Sequence, residues 1–112
     1  MELADATVLV TGGAGLIGSH LSAELVETGS SVRVVDDLSK GDRARVPAGA
    51  EFVQADLTEP QEVAEVLTEH IDIVFHLAAY TDTNYDEDRK LFEENTAMTY
   101  NILERMEDVG VS

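Results

Sequence analysis

The chain has 112 residues and a mass of 12.1 kDa, and its 7 Lys and Arg residues oppose 23 Asp and Glu residues, which leaves a formal net charge of −16. This length allows one domain at most, and the hydrophobic content of 44% is typical of a globular protein rather than a disordered one. Such an acidic surface repels phosphate backbones and anionic lipids, so we expect no nucleic-acid or membrane partner, and the absence of cysteine excludes disulfides, zinc-thiolate sites and thiol catalysis.

The first half of the chain alternates between apolar runs and segments that favour helix or loop. Continuous apolar runs predict buried strands at 6–11, 32–35 and 51–55, as in a parallel sheet. A helix is predicted after the first run, with apolar residues on one side and a glycine at its end: Leu16, Ile17, Leu21, Leu25, Val26 and Gly29. Residues 38–50 contain Gly41, Pro47 and Gly49, which predict a loop.

The second half continues the alternation. Thr58 is the predicted N-cap of a helix that runs to about Glu69, and a fourth strand is predicted at 71–78. A polar loop then precedes a long helix with an apolar stripe at Leu91, Met98, Ile102 and Met106, which ends at Gly110. This order of elements predicts right-handed βαβ units in a parallel sheet. Since such sheets usually have more strands, we expect residues 1–112 to be a fragment.

A glycine cluster at 12–18 satisfies two spacings associated with phosphate binding. Gly13, Gly15 and Gly18 fit G-x-G-x-x-G, and Gly12, Gly15 and Gly18 fit G-x-x-G-x-x-G. Either spacing alone is weak, but this cluster follows a predicted strand and opens a predicted helix. In that context glycines let backbone N–H groups approach a pyrophosphate at the positive end of the helix, and Gly18 lets the helix lie close to the strands.

Asp36 lies at the end of the second predicted strand, 18 positions after Gly18 (36 − 18 = 18). Dinucleotide sites place an acidic residue about 20 positions beyond their glycines, where it accepts hydrogen bonds from the adenosine ribose. Because a carboxylate repels a 2′-phosphate, Asp36 and Asp37 favour NAD over NADP, although Arg43 and Arg45 are near enough in sequence to bind such a phosphate. The alternative is an α/β domain that binds no dinucleotide.

Five short motifs follow one another along nearly the whole chain. They are TGGAGLIGSHL at 11–21, DDLS at 36–39, ADL at 55–57, HLAA at 76–79 and NT at 95–96. In this order they resemble the extended short-chain dehydrogenase/reductases, the NAD-dependent nucleotide-sugar epimerases and dehydratases. The resemblance implies an NAD cofactor and the N-terminal half of a Rossmann-type, doubly wound parallel sheet, with four strands in the order 3-2-1-4.

The resemblance also implies a cofactor-binding role for residues of each motif. The implied contacts are Gly12, Gly15, Leu16 and Ile17 at the pyrophosphate; Asp36, Asp37, Leu38 and Ser39 at the adenosine ribose; Asp56 and Leu57 at the adenine; Leu77, Ala78 and Ala79 at the ribose beside the nicotinamide; and Asn95, which helps to fix the cofactor region. Two positions depart from the family pattern: Asp37, where Asn is usual, and Met98, where a small residue is common.

We predict no catalytic residue in this chain. The family resemblance implies a Ser or Thr together with Tyr-x-x-x-Lys, in which the lysine lowers the tyrosine pKa to make a general base. The residues four positions after Tyr80, Tyr85 and Tyr100 are Asn84, Arg89 and Glu104, so the motif is not present in the printed sequence. We therefore expect no turnover by residues 1–112 alone.

For a full-length protein, the resemblance implies interconversion of UDP-glucose and UDP-galactose by transient hydride transfer from sugar C4 to NAD. A nucleotide-sugar 4,6-dehydratase and a UDP-glucuronate decarboxylase share the same motifs and are alternatives within the enzyme class. A non-enzymatic dinucleotide sensor is the alternative outside it. In this family the outer face of the last helix commonly pairs subunits, so we expect a homodimer.

Two further predictions concern metals and habitat. Asp82, Asn84, Asp86, Asp88 and Glu93 follow a calcium-loop spacing, but Glu87 stands where that loop needs glycine, so we predict no metal site.

Many carboxylates with only two lysines resemble the composition of proteins from salt-loving microbes, whose cytoplasm screens the repulsion between carboxylates. We expect a cytoplasmic protein of such an organism, with an acidic mesophile protein as the alternative.

Overall fold

The computed structural model describes residues 2–79 and 88–111, which form a four-stranded parallel sheet between helices. The strands are β1 (Thr7–Thr11), β2 (Ser31–Asp36), β3 (Glu51–Gln54) and β4 (Ile73–His76). The helices are α1 (Leu16–Thr28), α2 (Pro60–Val66) and α3 (Asp88–Val109), and two short 3-10 turns lie at Leu3–Asp5 and Arg43–Arg45.

The strand order is β3-β2-β1-β4, and each neighbouring pair is parallel, so the predicted order 3-2-1-4 is confirmed. Val8 of β1 pairs with Val32 of β2 on one side and with Ile73 of β4 on the other. The chain therefore builds outward from β1 to β3 and then returns to the opposite side of β1. The connections that leave β1 and β4 diverge at this point, which opens a crevice at the carboxyl edge of the sheet.

The strands are buried on both faces because successive side chains point to opposite sides of the sheet. Val8, Val10 and Val34 pack with Leu25 of α1 on one face. Leu9 and Val35 pack on the other face, together with residues of α2 and α3. Burial on both faces explains why the strand sequences are continuously apolar and do not alternate between apolar and polar residues.

Several predicted boundaries are wrong, and side-chain contacts explain two of them. β4 covers Ile73–His76 rather than 71–78, and its end is set where Ala78 N turns back to donate to the Thr11 hydroxyl. Thr58 is not the N-cap of α2. Its hydroxyl donates to Asp56 Oδ1 at 2.6 Å, Glu59 takes the N-cap position, and α2 ends at Val66 rather than near Glu69.

The buried side of α1 also differs from the predicted one. Leu16 and Ile17 are 64% and 76% exposed, whereas Gly18, Ser22 and Leu25 are buried. Small residues occupy the buried side because the start of α1 lies directly on the glycine loop, where little space is left. Met98, where the family usually has a small residue, is 4% exposed and packs in the core with Ile102.

Two arginines from other elements complete the short helix α2. Arg33 of β2 donates to the carbonyl of Val66 at 2.8 Å. Arg105 of α3 donates to the carbonyls of Leu67 at 2.8 Å and Ala64 at 3.3 Å. The last carbonyls of a helix have no partner within the helix, so these guanidinium groups supply the missing donors. A helix of this length is marginal by itself and depends on such tertiary contacts.

Candidate functional site

A cavity of about 230 Å³ lies at the carboxyl edge of the sheet. Segments that follow all four strands, together with α3, contribute to its wall. The predicted site residues that line it are Gly12, Gly15, Leu16, Asp36, Asp37, Ser39, Leu57, Leu77, Ala78 and Ala79. Four of the five motifs, which are far apart in sequence, thus converge on one crevice of the sheet.

Other predicted site residues do not line this cavity: Ile17, Gly18, Leu38, Asp56 and Asn95. The lining includes residues that the sequence did not single out for the site: Lys40, Gly41, Arg45, Ala55 and Met98. Lys40 and Gly41 directly follow a predicted motif, and Ala55 opens another, so proximity in sequence was a usable signal for them. Arg45 had a signal of its own, as a possible contact of a 2′-phosphate, whereas no signal pointed to Met98.

The glycines of the loop after β1 are required by the space around them. Gly12 has a φ of +71°, and a Cβ at this position would lie 2.8 Å from the backbone nitrogen of Ala78. A Cβ on Gly13 would lie against Val34 of β2, and one on Gly18 would strike the carbonyl oxygen of Gly12. The loop therefore packs against β2, α1 and the segment after β4 with no room for side chains.

The N-terminus of α1 opens into the cavity. The helix begins at Leu16, its N-cap is Gly15, and no side chain caps its first N–H groups. Both residues line the cavity, so the positive end of a 13-residue helix faces it. Unpaired N–H groups at the start of a helix form a natural binding site for a phosphate group.

Asp36 ties the glycine loop to the segment after β2. The residue is 8% exposed, and its Oδ2 accepts from Ala14 N at 3.1 Å while its Oδ1 accepts from Leu38 N at 2.8 Å. A Cβ on Gly41 would lie 2.8 Å from Asp36 Oδ2, so the loop passes close above the carboxylate. Each carboxylate oxygen has further acceptor capacity for a ligand hydroxyl.

The second aspartate shapes the adjoining turn. Asp37 Oδ1 accepts from both Ser39 N, at 2.9 Å, and Ser39 Oγ, at 2.7 Å. Two arginines, Arg43 and Arg45, could bind a 2′-phosphate. Arg45 lines the cavity. Arg43 does not line it, and its guanidinium carbon lies 4.4 Å above the ring centroid of Phe52.

Asp56 is turned toward α2 instead of the cavity. Its Oδ1 accepts from Thr58 N at 2.9 Å and from the Thr58 hydroxyl, and its N–H donates to Glu62 at 3.0 Å. Leu57, on the cavity side, is held by α3, because Asn101 donates to the Leu57 carbonyl at 3.0 Å. The motif after β3 thus presents Leu57 to this cavity, while Asp56 lines a second cavity that shares Asp37 and Ala55 with the first.

A buried threonine and a histidine support the segment after β4. Thr11 Oγ1 lies 2.6 Å from His76 Nδ1, and His76 Nε2 lies 3.2 Å from Thr99 Oγ1 of α3. Burial lowers the pKa of the His76 imidazole below its ordinary value of 6.5. This network joins β1, β4 and α3 directly beneath the cavity wall.

Three positions of the calcium-type spacing, Asp82, Asn84 and Asp86, lie outside the described residues. Across 2–79 and 88–111, no cluster of three or more His, Asp or Glu residues could hold a metal ion. No helix in these same ranges is long and apolar enough to cross a membrane.

A sequence profile described as the NAD dependent epimerase/dehydratase family matches residues 8–112. The chain belongs to this family. The predicted family is thereby confirmed, and it accounts for the convergence of glycine loop, acidic strand end and apolar wall on one cavity. NAD dependence is a property of the family as a whole.

Individual relatives of this epimerase/dehydratase chain differ in their reactions. UDP-glucose 4-epimerase of Streptococcus mutans is 41% identical over 109 residues, which cover 93% of this chain and 33% of the relative. UDP-N-acetyl-alpha-D-glucosaminuronate decarboxylase of Bacillus cytotoxicus is 37% identical over 101 residues, covering 86% of this chain and 31% of the relative. The chain therefore spans about a third of the length of the curated relatives it matches.

Solved structures of the family share the fold. The structure of Thermus thermophilus UDP-glucose 4-epimerase in complex with NAD is 38% identical and superposes with a TM-score of 0.81. The match covers 95% of this chain and 35% of that one. The Rossmann-like arrangement predicted for the sheet is confirmed by this similarity together with the observed strand order.

Proposed function

We propose that residues 1–112 form the N-terminal, NAD-binding part of a Rossmann domain in a nucleotide-sugar 4-epimerase that interconverts UDP-glucose and UDP-galactose. The observation that carries this proposal is the convergence of the uncapped start of α1 and the buried carboxylate of Asp36 on one cavity. A helix terminus suits a diphosphate, and a carboxylate suits ribose hydroxyls. The catalytic and sugar-binding parts lie outside these residues in this proposal.

The cofactor would extend across the carboxyl edge of the sheet. From one end to the other, the proposed contacts are Asp56 and Leu57 at the adenine; Asp36, Asp37, Leu38 and Ser39 at the adenosine ribose; Gly12, Gly15, Leu16, Ile17 and Gly18 around the pyrophosphate; and Leu77, Ala78 and Ala79 at the second ribose, with Asn95 nearby on α3. Bound NAD would accept a hydride from sugar C4 and return it. The residues of this chain would hold and orient the cofactor and would not transfer protons.

A charge placed at the start of α1 tests the position of the pyrophosphate. Leu16→Glu is expected to weaken NAD binding at least about tenfold, because the new carboxylate would repel the diphosphate. Stability should not fall, since Leu16 is 64% exposed and a carboxylate in the first turn of a helix is favourable. Calorimetric titration with NAD and NADP measures the effect, and wild type is expected to prefer NAD.

Gln61→Glu is the matched control for this substitution. It adds the same charge to the first turn of α2, on an exposed residue outside the cavity lining. The control should bind NAD like wild type. Equal affinities of Leu16→Glu and wild type for NAD would contradict the proposed position of the pyrophosphate.

The similarity to a decarboxylase supports a second candidate, in which the full-length protein removes the carboxylate of a UDP-glucuronate-type sugar. A 4,6-dehydratase and a non-enzymatic sensor would use the same cofactor contacts. Assays of a full-length protein with UDP-galactose and UDP-glucuronate separate epimerase from decarboxylase. Residues 1–112 alone should turn over neither substrate.

We infer that the exposed apolar face of α3 pairs two copies of the protein. Phe92, Tyr100 and Leu103 are 71%, 64% and 59% exposed, while Met98 and Ile102 on another side of the helix are buried. Leu103→Glu should shift the protein from dimer to monomer in sedimentation, because a carboxylate cannot be buried unpaired in the interface. Leu3→Glu makes the same chemical change at the N-terminal 3-10 turn and should leave the dimer intact.

A cytoplasmic location in a salt-loving organism also stays a prediction. Repulsion among 23 Asp and Glu residues weakens as salt shortens the Debye length, from about 10 Å at 0.1 M to about 3 Å at 1 M. Such a chain gains stability in a salt-rich cytoplasm. The balance of charges is the observation that supports this view.

A further inference from the structure

The hydroxyl of Thr11 meets three polar atoms at the end of β1. It accepts from Leu77 N at 3.0 Å and from Ala78 N at 3.2 Å, and it lies 2.6 Å from Nδ1 of His76. Thr11 is fully buried, so water does not compete for this hydroxyl. Leu77 N is shared, because it also donates to the carbonyl of Thr11 at 3.1 Å, whereas Ala78 N has the hydroxyl as its acceptor.

The hydrogen bonds of this cluster indicate which nitrogen of the His76 ring carries the proton. A hydroxyl has one proton to donate and two lone pairs to accept. Because both amides donate to this oxygen, we infer that the hydroxyl donates its own proton to His76 Nδ1, which is then unprotonated. The ring proton lies on Nε2 and is directed to Thr99 Oγ1 of α3, 3.2 Å away. His76 is thus neutral, with its proton on Nε2.

We propose that neutral His76 is a positioning residue for the cofactor, which acts through Thr11 to hold the 77–79 segment against the glycine loop. This proposal rests on the proposed function, since it takes Leu77, Ala78 and Ala79 as the wall beside the second ribose. The wall packs directly on the glycine loop, since a Cβ added to Gly12 would lie 2.8 Å from the backbone nitrogen of Ala78. A change in the orientation of the Thr11 hydroxyl therefore shifts the wall itself.

Protonation of His76 would break this arrangement. An N–H on Nδ1 would face the O–H of Thr11 at 2.6 Å, so the hydroxyl would have to turn; Ala78 N would then lose its acceptor, whereas Leu77 N would keep the Thr11 carbonyl. The groups that face the ring from β1 and α3 are the uncharged Thr11 and Thr99. Over the described ranges, no carboxylate lies within ion-pair distance of the ring.

Charged groups on two elements near His76 have partners other than its ring. On α3, Glu94 pairs with Lys90 at 3.7 Å and Arg105 donates to α2. Beside the glycine loop, the Asp36 carboxylate accepts from Ala14 N and Leu38 N. Burial lowers the His76 pKa, so the folded state binds this proton less readily than the unfolded chain does. The contribution of His76 to stability is thus fully present above pH 6.5 and is lost as the pH falls below it.

Nitrogen-15 NMR of the imidazole ring, in the protein without NAD, tests the hydrogen-bond assignment. Near pH 8, Nδ1 should be unprotonated and Nε2 protonated, in a single tautomer. On acidification, the amide signals of Leu77 and Ala78 should titrate together with the ring, and the protection factor of Ala78, which is corrected for the intrinsic effect of pH on exchange, should fall about tenfold or more. A proton on Nδ1 at neutral pH, or amides that do not follow the ring, would overturn the proposal.

The dependence of NAD affinity on pH tests the positioning role. His76→Asn places an amide near the Nδ1 position, where its oxygen accepts the Thr11 proton without titrating. Wild type should lose at least about fivefold in NAD affinity as the pH falls from about 7.5 to about 5, and His76→Asn should lose little. His20→Asn and His70→Asn change exposed histidines and should keep the wild-type profile.

The two measurements separate failure of this proposal from failure of the proposed function. Equal pH profiles for wild type and His76→Asn would overturn the positioning role. If wild type binds no NAD at any pH, the proposed function fails, and the positioning role for the cofactor fails with it. The NMR titration needs no ligand and still decides whether His76 holds the wall through Thr11.

Discussion

Replacement of Gly12 by alanine is expected to lower the free energy of unfolding by about 2–5 kcal/mol. The φ of +71° costs an alanine about 1–2 kcal/mol. The added Cβ would also lie 2.8 Å from the backbone nitrogen of Ala78, and overpacking of this kind costs about 1–3 kcal/mol more. Because the obstructing atoms are backbone, no side chain can move aside. Equilibrium unfolding in urea measures the loss.

Gly110→Ala separates the two contributions. Gly110 has a similar φ of +79°, but a Cβ there would meet nothing within 4 Å. This control should lose about 1–2 kcal/mol, the conformational cost alone. The difference between the two variants measures the close approach of the glycine loop to the segment after β4. If the two losses were equal, Gly12 and Ala78 would not be in contact as described.

Asp36→Ala is expected to reduce both stability and cofactor preference. Ala14 N and Leu38 N would lose their acceptor in a buried site, at a cost of about 2–4 kcal/mol. Leu38 has a φ of 64°, unfavourable for leucine, and the bond to Asp36 helps to hold it. The preference for NAD over NADP should also disappear, since no carboxylate would remain at this position to repel a 2′-phosphate.

The amide variants make the test of Asp36 specific. Asp36→Asn keeps the shape and one acceptor, so it should recover part of the stability while still losing the preference for NAD. Asp37→Asn is the matched control, because it makes the same chemical change at the next residue and its side-chain oxygen can still accept from Ser39. It should stay within about 0.5 kcal/mol of wild type. Retention of NAD preference in Asp36→Asn would show that another group excludes NADP.

The strand order could be predicted from the sequence because few topologies satisfy the observed pattern. Short apolar runs that alternate with helices predict a parallel sheet with right-handed crossovers, and the family resemblance then implies that the third and fourth strands lie on opposite sides of the first. Strand ends were less predictable. The apolar run at 71–78 gives no sign that strand pairing ends at His76, since the reason lies in the Thr11 side chain, 65 positions away.

The sequence predicts which segments form the site better than it predicts which side chains face the cavity. The motifs identify which loops meet, but the direction of a side chain depends on its neighbours. Asp56 illustrates this point, because Thr58 captures its carboxylate and leaves Leu57 to face the cavity. Leu16 is another case. Its apolar character placed it on the buried side of α1, yet the close packing of Gly18 turns it outward to the cavity mouth.

The arginines that complete α2 limit how acidic this protein can become. Arg33 and Arg105 are two of only 7 basic residues, and both donate to backbone carbonyls at the end of one short helix. Lysine could not replace Arg105, because a single ammonium group does not offer the planar fork that reaches Leu67 and Ala64 together. Selection for a more negative surface can remove basic residues elsewhere at little structural cost. Removal of Arg33 or Arg105 would leave the last carbonyls of α2 without donors and destabilise that helix. The fold therefore requires these two arginines.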